Sequence, residues 1–179
     1  ETAHIKDIVA HLRVIINPDD VISLNRILLL LKGVGAATVN NIIPIIKGQL
    51  NADIKLLPTN KTTSITPMLK TLDKLRNLIT TKNTSDIVEE VINYYRPILK
   101  DKYDDFAKRE KDLDHFQYLS GQYSNLEDFI SDLALEPPEA SVEGMYKRNS
   151  DDEALTISTI HSAKGLEFPV VFLVGLEED

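Results

Sequence analysis

From Ile5 to Leu135 the apolar residues return at helical spacing, and this constrains the chain more than any other feature. Ile5, Ile8, Val9, Leu12, Ile15 and Ile16 fall at i, i+3, i+4, i+7, i+10 and i+11, one stripe along a first helix. "NPDD" at 17–20 stops that helix, with Pro18 blocking continuation and the acids able to cap the next one. A second helix is predicted over Val21–Leu31 and a third over Ala36–Lys47, kinked or shortened by Pro44. Residues 49–64 read as a polar connector. "TPMLKTLDKLRNLI" then predicts a fourth helix with Pro67 in its first turn and Met68, Leu69, Leu72, Leu75 and Ile79 on one face. Helices are expected over about Asp86–Lys102, disturbed by Pro97, and over the charged stretch Asp104–Gly121. A capping box, Ser124 to Glu127, opens a last short helix through Leu135. The fold class is mainly α.

The end of the chain breaks this pattern. "EPPEASVEGMYKRNSDDE" at 136–153 has two prolines, a glycine, many charges and no periodicity, and reads as a linker. Beyond it, Ile157, Thr159 and Ile160 form a β-branched run, and "VVFLV" at 170–174 a continuous apolar one between Pro169 and Gly175. Such a run is expected to be a strand buried on both faces. A strand of that kind needs parallel neighbours and covering helices, and these 179 residues offer no alternation to build them. The tail reads as a piece of a larger α/β domain.

Composition removes several classes of function. The chain has no cysteine, so it can hold neither a disulfide framework nor a Cys-ligated zinc. No apolar run approaches the roughly 18 residues of a membrane span, and no signal peptide pattern opens the sequence. A cytoplasmic setting is expected. The net charge of −8 opposes a free-standing, sequence-blind DNA binder. Its distribution is uneven, though: Lys61, Lys70, Lys74, Arg76 and Lys82 face only Asp73 within 61–82. His4, His11 and His115 lack metal-ligand spacing and read as surface or partly packed residues, with no metal expected. "DDFAKREKDLD" reads as a solvated helix face. Tyr94, Tyr95, Tyr118 and Tyr123 sit at helical spacing and read as core more readily than as base-stacking platforms.

Two segments carry chemistry. In "LLKGVGAATVNNI", Leu30–Ile42, two apolar helices meet at a short turn with Gly33 and Gly35 flanking Val34. Glycines lack a Cβ and permit positive φ, so backbone N–H groups there can approach a phosphate. The following helix would aim its N-terminus at the same anion, and Lys32 and Thr38 could add a charge and a hydroxyl. The element is similar to the helix-hairpin-helix family of DNA-binding elements. Its other reading is an ordinary αα-turn with a glycine C-cap.

The second segment is "TIHSAKGLEF", Thr159–Phe168, running into the apolar strand. It is no Walker A loop, which places its glycines ahead of the lysine, and the chain contains no such loop. It closely resembles the fifth conserved motif of the UvrD/Rep/PcrA-like superfamily 1 DNA helicases, Thr-x-His-x-x-Lys-Gly-Leu-Glu-Phe. "ETAHIKDIVAHLRVIINPDD" resembles the family segment that leads from the second RecA-like motor domain into its helical insertion, the 2B subdomain. The Gly33-Val34-Gly35 hairpin matches a duplex-contacting hairpin of that insertion. From about 50 to 150 no specific motif supports the likeness.

The resemblance implies a helical 2B-type subdomain plus a short β segment of the motor domain. Residues 1–16 would be the motor edge, 17–135 the insertion, 136–153 a linker and 154–179 the motor motif. It implies single-stranded DNA contacts at Thr159 and His161, and an ATP-ribose contact at Glu167 with Gly165 permitting the turn. Lys32, Gly33, Val34, Gly35 and Thr38 would meet duplex DNA. Lys164 is open between an anion contact and a surface lysine. The full-length protein would be an ATP- and Mg2+-dependent 3′–5′ helicase whose partners are DNA junctions and its own remaining motor domains. Without Walker A, this chain alone is expected to be inactive. Two alternatives stand beside this reading: a helicase–nuclease subunit of the AddA/RecB kind, and a domain serving mainly as a protein-interaction or autoinhibitory module.

Overall fold

The computed structural model describes residues 3–50, 62–135 and 170–172. Among the described residues seven helices follow in order: α1 (Ala3–Ile16), α2 (Val21–Leu29), α3 (Ala36–Ile46), α4 (Thr62–Leu78), α5 (Thr84–Lys102), α6 (Phe106–Ser120) and α7 (Leu126–Leu135). Among the described residues there is no strand. The chain divides into two compact units, Glu1–Met145 and Tyr146–Asp179.

In the first unit α1 is the axis, packed against α2, α4, α5, α6 and α7. A helix surrounded in this way is buried on nearly every face rather than along one stripe. Ile5, Ile8, Ala10, Leu12, Val14 and Ile15 are all buried, and so are the polar His4, Asp7 and His11. The expectation that His4 and His11 lie at or near the surface is therefore corrected. The same core takes in Leu24, Ile27 and Leu28 of α2, Val39, Ile42 and Ile46 of α3, which packs on α2, and the predicted α4 face of Met68, Leu69, Leu72 and Leu75. Each such side chain, fully buried, stabilises the fold by about 1.5–3 kcal/mol relative to exposure. Arg76 of α4 donates from Nη1 to the carbonyls of Ile15 and Ile16, at 3.2 and 3.3 Å, satisfying the C-terminal end of α1 with a cation.

Pro67 is placed differently from expectation. Pro44, Pro67 and Pro97 all lie inside helices, and α4 begins at Thr62, ahead of Pro67, which is not in its first turn. A helical proline leaves the carbonyl four residues earlier without its donor. Here Asn40, Thr63 and Asn93 supply those carbonyls, and both they and the prolines are exposed, so water can take the donor's place. The last cap is also shifted by one residue. Asn125 Oδ1 accepts from the Asp128 N–H at 2.8 Å, and Asn125 Nδ2 donates to Asp128 Oδ2 at 2.7 Å. The reciprocal pair is Asn125–Asp128 in place of Ser124–Glu127, because α7 starts at Leu126.

Of the second unit only Val170, Val171 and Phe172 are described. They form no strand and are exposed, Phe172 to 80%. The expected buried strand at 170–174 is absent over these three residues. An extended segment becomes a strand only when neighbours take up its N–H and C=O groups, and among the described residues none do so.

Candidate nucleic-acid interface

The α2–α3 hairpin is built from both ends. Asp20 caps α2: its Oδ1 accepts from the Ser23 N–H at 3.0 Å and its Oδ2 from the Ser23 hydroxyl at 2.7 Å. Past α2 the chain tightens through Leu30 N–H to the Ile27 carbonyl, Leu31 N–H to that of Leu28 and Val34 N–H to that of Leu31. The three hairpin residues then divide the labour. Gly33 has φ +75°, a backbone that L side chains rarely adopt. Val34 turns inward and is 7% exposed, anchoring the loop in the core. Gly35 is the N-cap of α3 with an extended backbone, φ −111° and ψ 176°, and contributes no capping side chain.

Gly33 is thus the glycine that the turn requires. A Cβ at Gly35 would meet nothing within 4 Å, so that position is open for a side chain. The first N–H of α3 to enter the ladder is that of Val39, bonded to the Gly35 carbonyl at 3.0 Å. The N–H groups of Ala36, Ala37 and Thr38 stand ahead of it, at the positive end of the helix dipole. Lys32, Gly33, Gly35, Ala36 and Ala37 are exposed and Thr38 is half-buried. Lys32 and Gly35 are thus open to solvent and Thr38 partly so, while Val34 is turned into the core.

Behind this surface lies a polar cluster that the sequence reading missed. Asp7 is 1% exposed, yet it sits in the helix around which the fold packs. Arg26 of α2 donates from Nε to its Oδ1 at 2.7 Å, and the Tyr95 hydroxyl of α5 donates to its Oδ2 at 2.7 Å. Lys102 Nζ lies 3.8 Å from Oδ2. Burial, together with Asp7, pushes the Tyr95 hydroxyl pKa up, so it stays a donor. One turn further on, His11 donates from Nδ1 to the Asp7 carbonyl at 2.7 Å. Burial lowers the His11 pKa to about 4, and the ring is neutral at neutral pH. His4 bridges to α6, its Nε2 paired with Asp112 Oδ2 at 3.1 Å and its Nδ1 with Arg109 Nη1 at 3.2 Å. Burial lowers the His4 pKa as well, although the neighbouring Asp112 opposes the shift.

The stretch "DDFAKREKDLD" is mostly exposed, as expected of a solvated helix face, but its Arg109 and Asp112 reach a buried histidine. One signal could have been read in advance: an acid and two histidines inside an α1 stretch whose other residues are nearly all apolar. The tyrosines divide. Tyr95 is core, while Tyr118 is exposed and stacked on His115 with ring centroids 6.4 Å apart. Among the described residues no group of three or more His, Asp and Glu is placed to hold a metal ion. No described helix is long and apolar enough to cross a membrane. Thr159, His161, Lys164, Gly165 and Glu167, the residues assigned to the single strand and the nucleotide, lie outside the described residues.

Comparison with known proteins adds an independent line. The family model of the UvrD-like helicase C-terminal domain matches residues 46–179, which leaves the Gly33–Gly35 hairpin outside the matched stretch. The chain is similar over 97% of its length to the ATP-dependent DNA helicase PcrA of Bacillus subtilis, at 30% identity. It is likewise similar to the PcrA of Staphylococcus epidermidis, at 32% identity, and to that of Leuconostoc citreum, at 29% over 99% of the chain. It spans about a quarter of those relatives, 26% of each. No solved structure gives a significant match. The helical architecture and the match over residues 46–179 agree, and the chain belongs to the UvrD-like helicase family, in its C-terminal domain.

Proposed function

We propose that this chain is the duplex-touching helical insertion, with the adjoining motor motif, of an ATP-dependent 3′–5′ DNA helicase. The observation that carries the reading is similarity over 97% of the chain to proteins named ATP-dependent DNA helicase PcrA. The hairpin supports it locally: exposed N–H donors at the start of α3, an exposed Lys32 and an open Gly35 suit a phosphate oxygen. Phosphate contacts position DNA without reading its sequence.

In this reading 17–135 is the 2B-type insertion, 136–153 the linker and 154–179 the motor motif. Segment 1–16 leads out of the motor domain by sequence position and forms the helical unit's axis by packing. Thr159 and His161 touch the single strand. Glu167 accepts from the ribose of ATP beside Gly165. ATP with Mg2+ would supply the driving hydrolysis in the full-length protein. The Walker A residues that hydrolysis needs are not in this chain, which would be inactive alone. The working compartment is the cytoplasm.

Two substitutions test the reading. Gly35→Asp puts a better N-cap and a negative charge at one open position. It should raise stability by a few tenths of a kcal/mol while weakening junction affinity in the full-length protein, more at low salt than at high. Unchanged junction affinity would reduce the hairpin to a simple αα-turn. Glu167→Ala should weaken ATP binding roughly tenfold to a hundredfold, about 1.5–3 kcal/mol for one charge-assisted hydrogen bond. ATP-free DNA binding should stay intact, and an unaltered nucleotide affinity would remove Glu167 from the site.

A second reading rests on a separate observation. Ile22 is 83% exposed and Leu29 is also exposed, both on α2 beside the hairpin. Such a surface suits a protein-contacting or autoinhibitory module, and a Gly35→Asp protein with normal junction affinity would favour it.

A further inference from the structure

Apolar burial of Leu24, Ile27 and Leu28 holds α2 on the core. That force is non-directional and leaves the roll and axial register of the helix weakly specified. The directional contacts on α2 are few. Arg26, in its last turn, donates from Nε to Asp7 Oδ1 at 2.7 Å and from Nη2 to the Ala3 carbonyl at 3.1 Å. The anchor is itself fixed, because Asp7 Oδ2 is engaged by the Tyr95 hydroxyl and faces Lys102, both on α5. On the outward side of α2, Ile22 and Leu29 are exposed, so among the described residues nothing braces the helix there.

We propose that Arg26 is a positioning residue for the hairpin: its fork on Asp7 and Ala3 sets the roll of α2, and thereby where Lys32, Gly35 and the α3 N-terminus meet DNA phosphate. The inference rests on the duplex-contact reading of the hairpin. Little slack separates Arg26 from the surface it aims. The Ile27, Leu28 and Leu31 carbonyls are each bonded by the turn beyond α2, and Val34 is sunk in the core. A change in α2 is therefore passed on to Gly35 rather than absorbed between them. A hydrogen-bonded ion pair whose carboxylate is buried does this well, because breaking its geometry costs more than sliding an apolar contact.

The test uses the full-length protein with a fluorescent duplex–single-strand junction and a fluorescent single strand, each titrated across a salt series, beside thermal melting. Arg26→Lys keeps a cation near Asp7 but loses the planar fork whose Nε and Nη2 make the two bonds. It is expected to weaken junction binding several-fold at temperatures where the protein is folded, with single-strand binding near wild type. Combined with Gly35→Asp, it should add less than its separate effect, since both act on one contact. Should Arg26→Lys fail to fold, Tyr95→Phe loosens the same anchor while keeping the ring, and the same junction-selective loss is expected. Equal losses on junction and single strand, or normal junction binding alongside an impaired Gly35→Asp protein, would overturn the positioning role and leave the hairpin reading standing. Normal junction binding by Gly35→Asp itself would overturn both.

Discussion

At the start of α3, three N–H groups stand ahead of the helical ladder on residues that are exposed or half-buried, and the N-cap is a residue with no side chain. At Asp7, on the inner side of α2, a carboxylate is shut from solvent and both its oxygens are engaged. The two regions are joined through one short helix, yet they treat polar groups in opposite ways. A buried polar group without a partner costs free energy, so the core pairs its groups. An exposed donor is satisfied by water at little cost and can exchange that water for a phosphate. Open donors therefore mark where a ligand could be taken, and closed polar clusters mark where geometry is held.

The closed region should break hardest. Asp7→Ala leaves the Tyr95 hydroxyl buried and Arg26 and Lys102 without their anion. Loss of one partner of a buried pair costs about 3–5 kcal/mol, and the partial exposure of both cations points to the lower end, about 3. Thermal melting should fall by roughly 10 °C for a chain of this size. A loss of under about 1 kcal/mol would show that the cluster does not hold the core.

Acid probes the same cluster by titration. His11 is neutral in the folded chain down to about pH 4, whereas an unfolded His takes a proton near 6.5. The unfolded state then binds more protons between those values, so stability falls as pH drops from about 6.5 to about 4 and levels off below. His11 alone accounts for about 3 kcal/mol across the window. His4, also lowered, adds to it with the same sign. Denaturant midpoints at a series of pH values measure the slope, and a His11→Gln chain should show a shallower one.

The hairpin gives the smallest effects and separates its two glycines. Gly33→Ala forces a side chain into φ +75° and should destabilise by about 1–2 kcal/mol. Gly35→Ser has an extended backbone, open space and a better cap, and should change stability by only a few tenths in the favourable direction. Equal costs at the two positions would contradict the backbone assigned to this turn.

Helix number and order were legible in the sequence because apolar spacing states them directly: the stripe from Ile5 to Ile16 and the face from Met68 to Leu75 both appear as helices. The hairpin was legible too, since two glycines around a valine between apolar helices admit few other forms. The assignment of Gly33 to the turn and Gly35 to the cap was not, because either glycine can take either backbone. His4 and His11 were misplaced, and Asp7 was passed over, for a related reason: a polar residue in sequence looks solvated until its partners come into view. Those partners are Arg26, Tyr95, Arg109 and Asp112, drawn from α2, α5 and α6.

By itself, the sequence determined the number and order of the helices among the described residues and the likeness of its tail to a family motif. Those features rest on local spacing and on covalent limits of Pro and Gly, which act within a few residues. Only the tertiary structure decided that α1 is the axis, that three helical prolines lie opposite exposed residues whose carbonyls water can reach, and that Asp7 is a buried anchor. Each of these depends on which faces meet across 19 to 108 positions of chain, and burial is a property of that meeting.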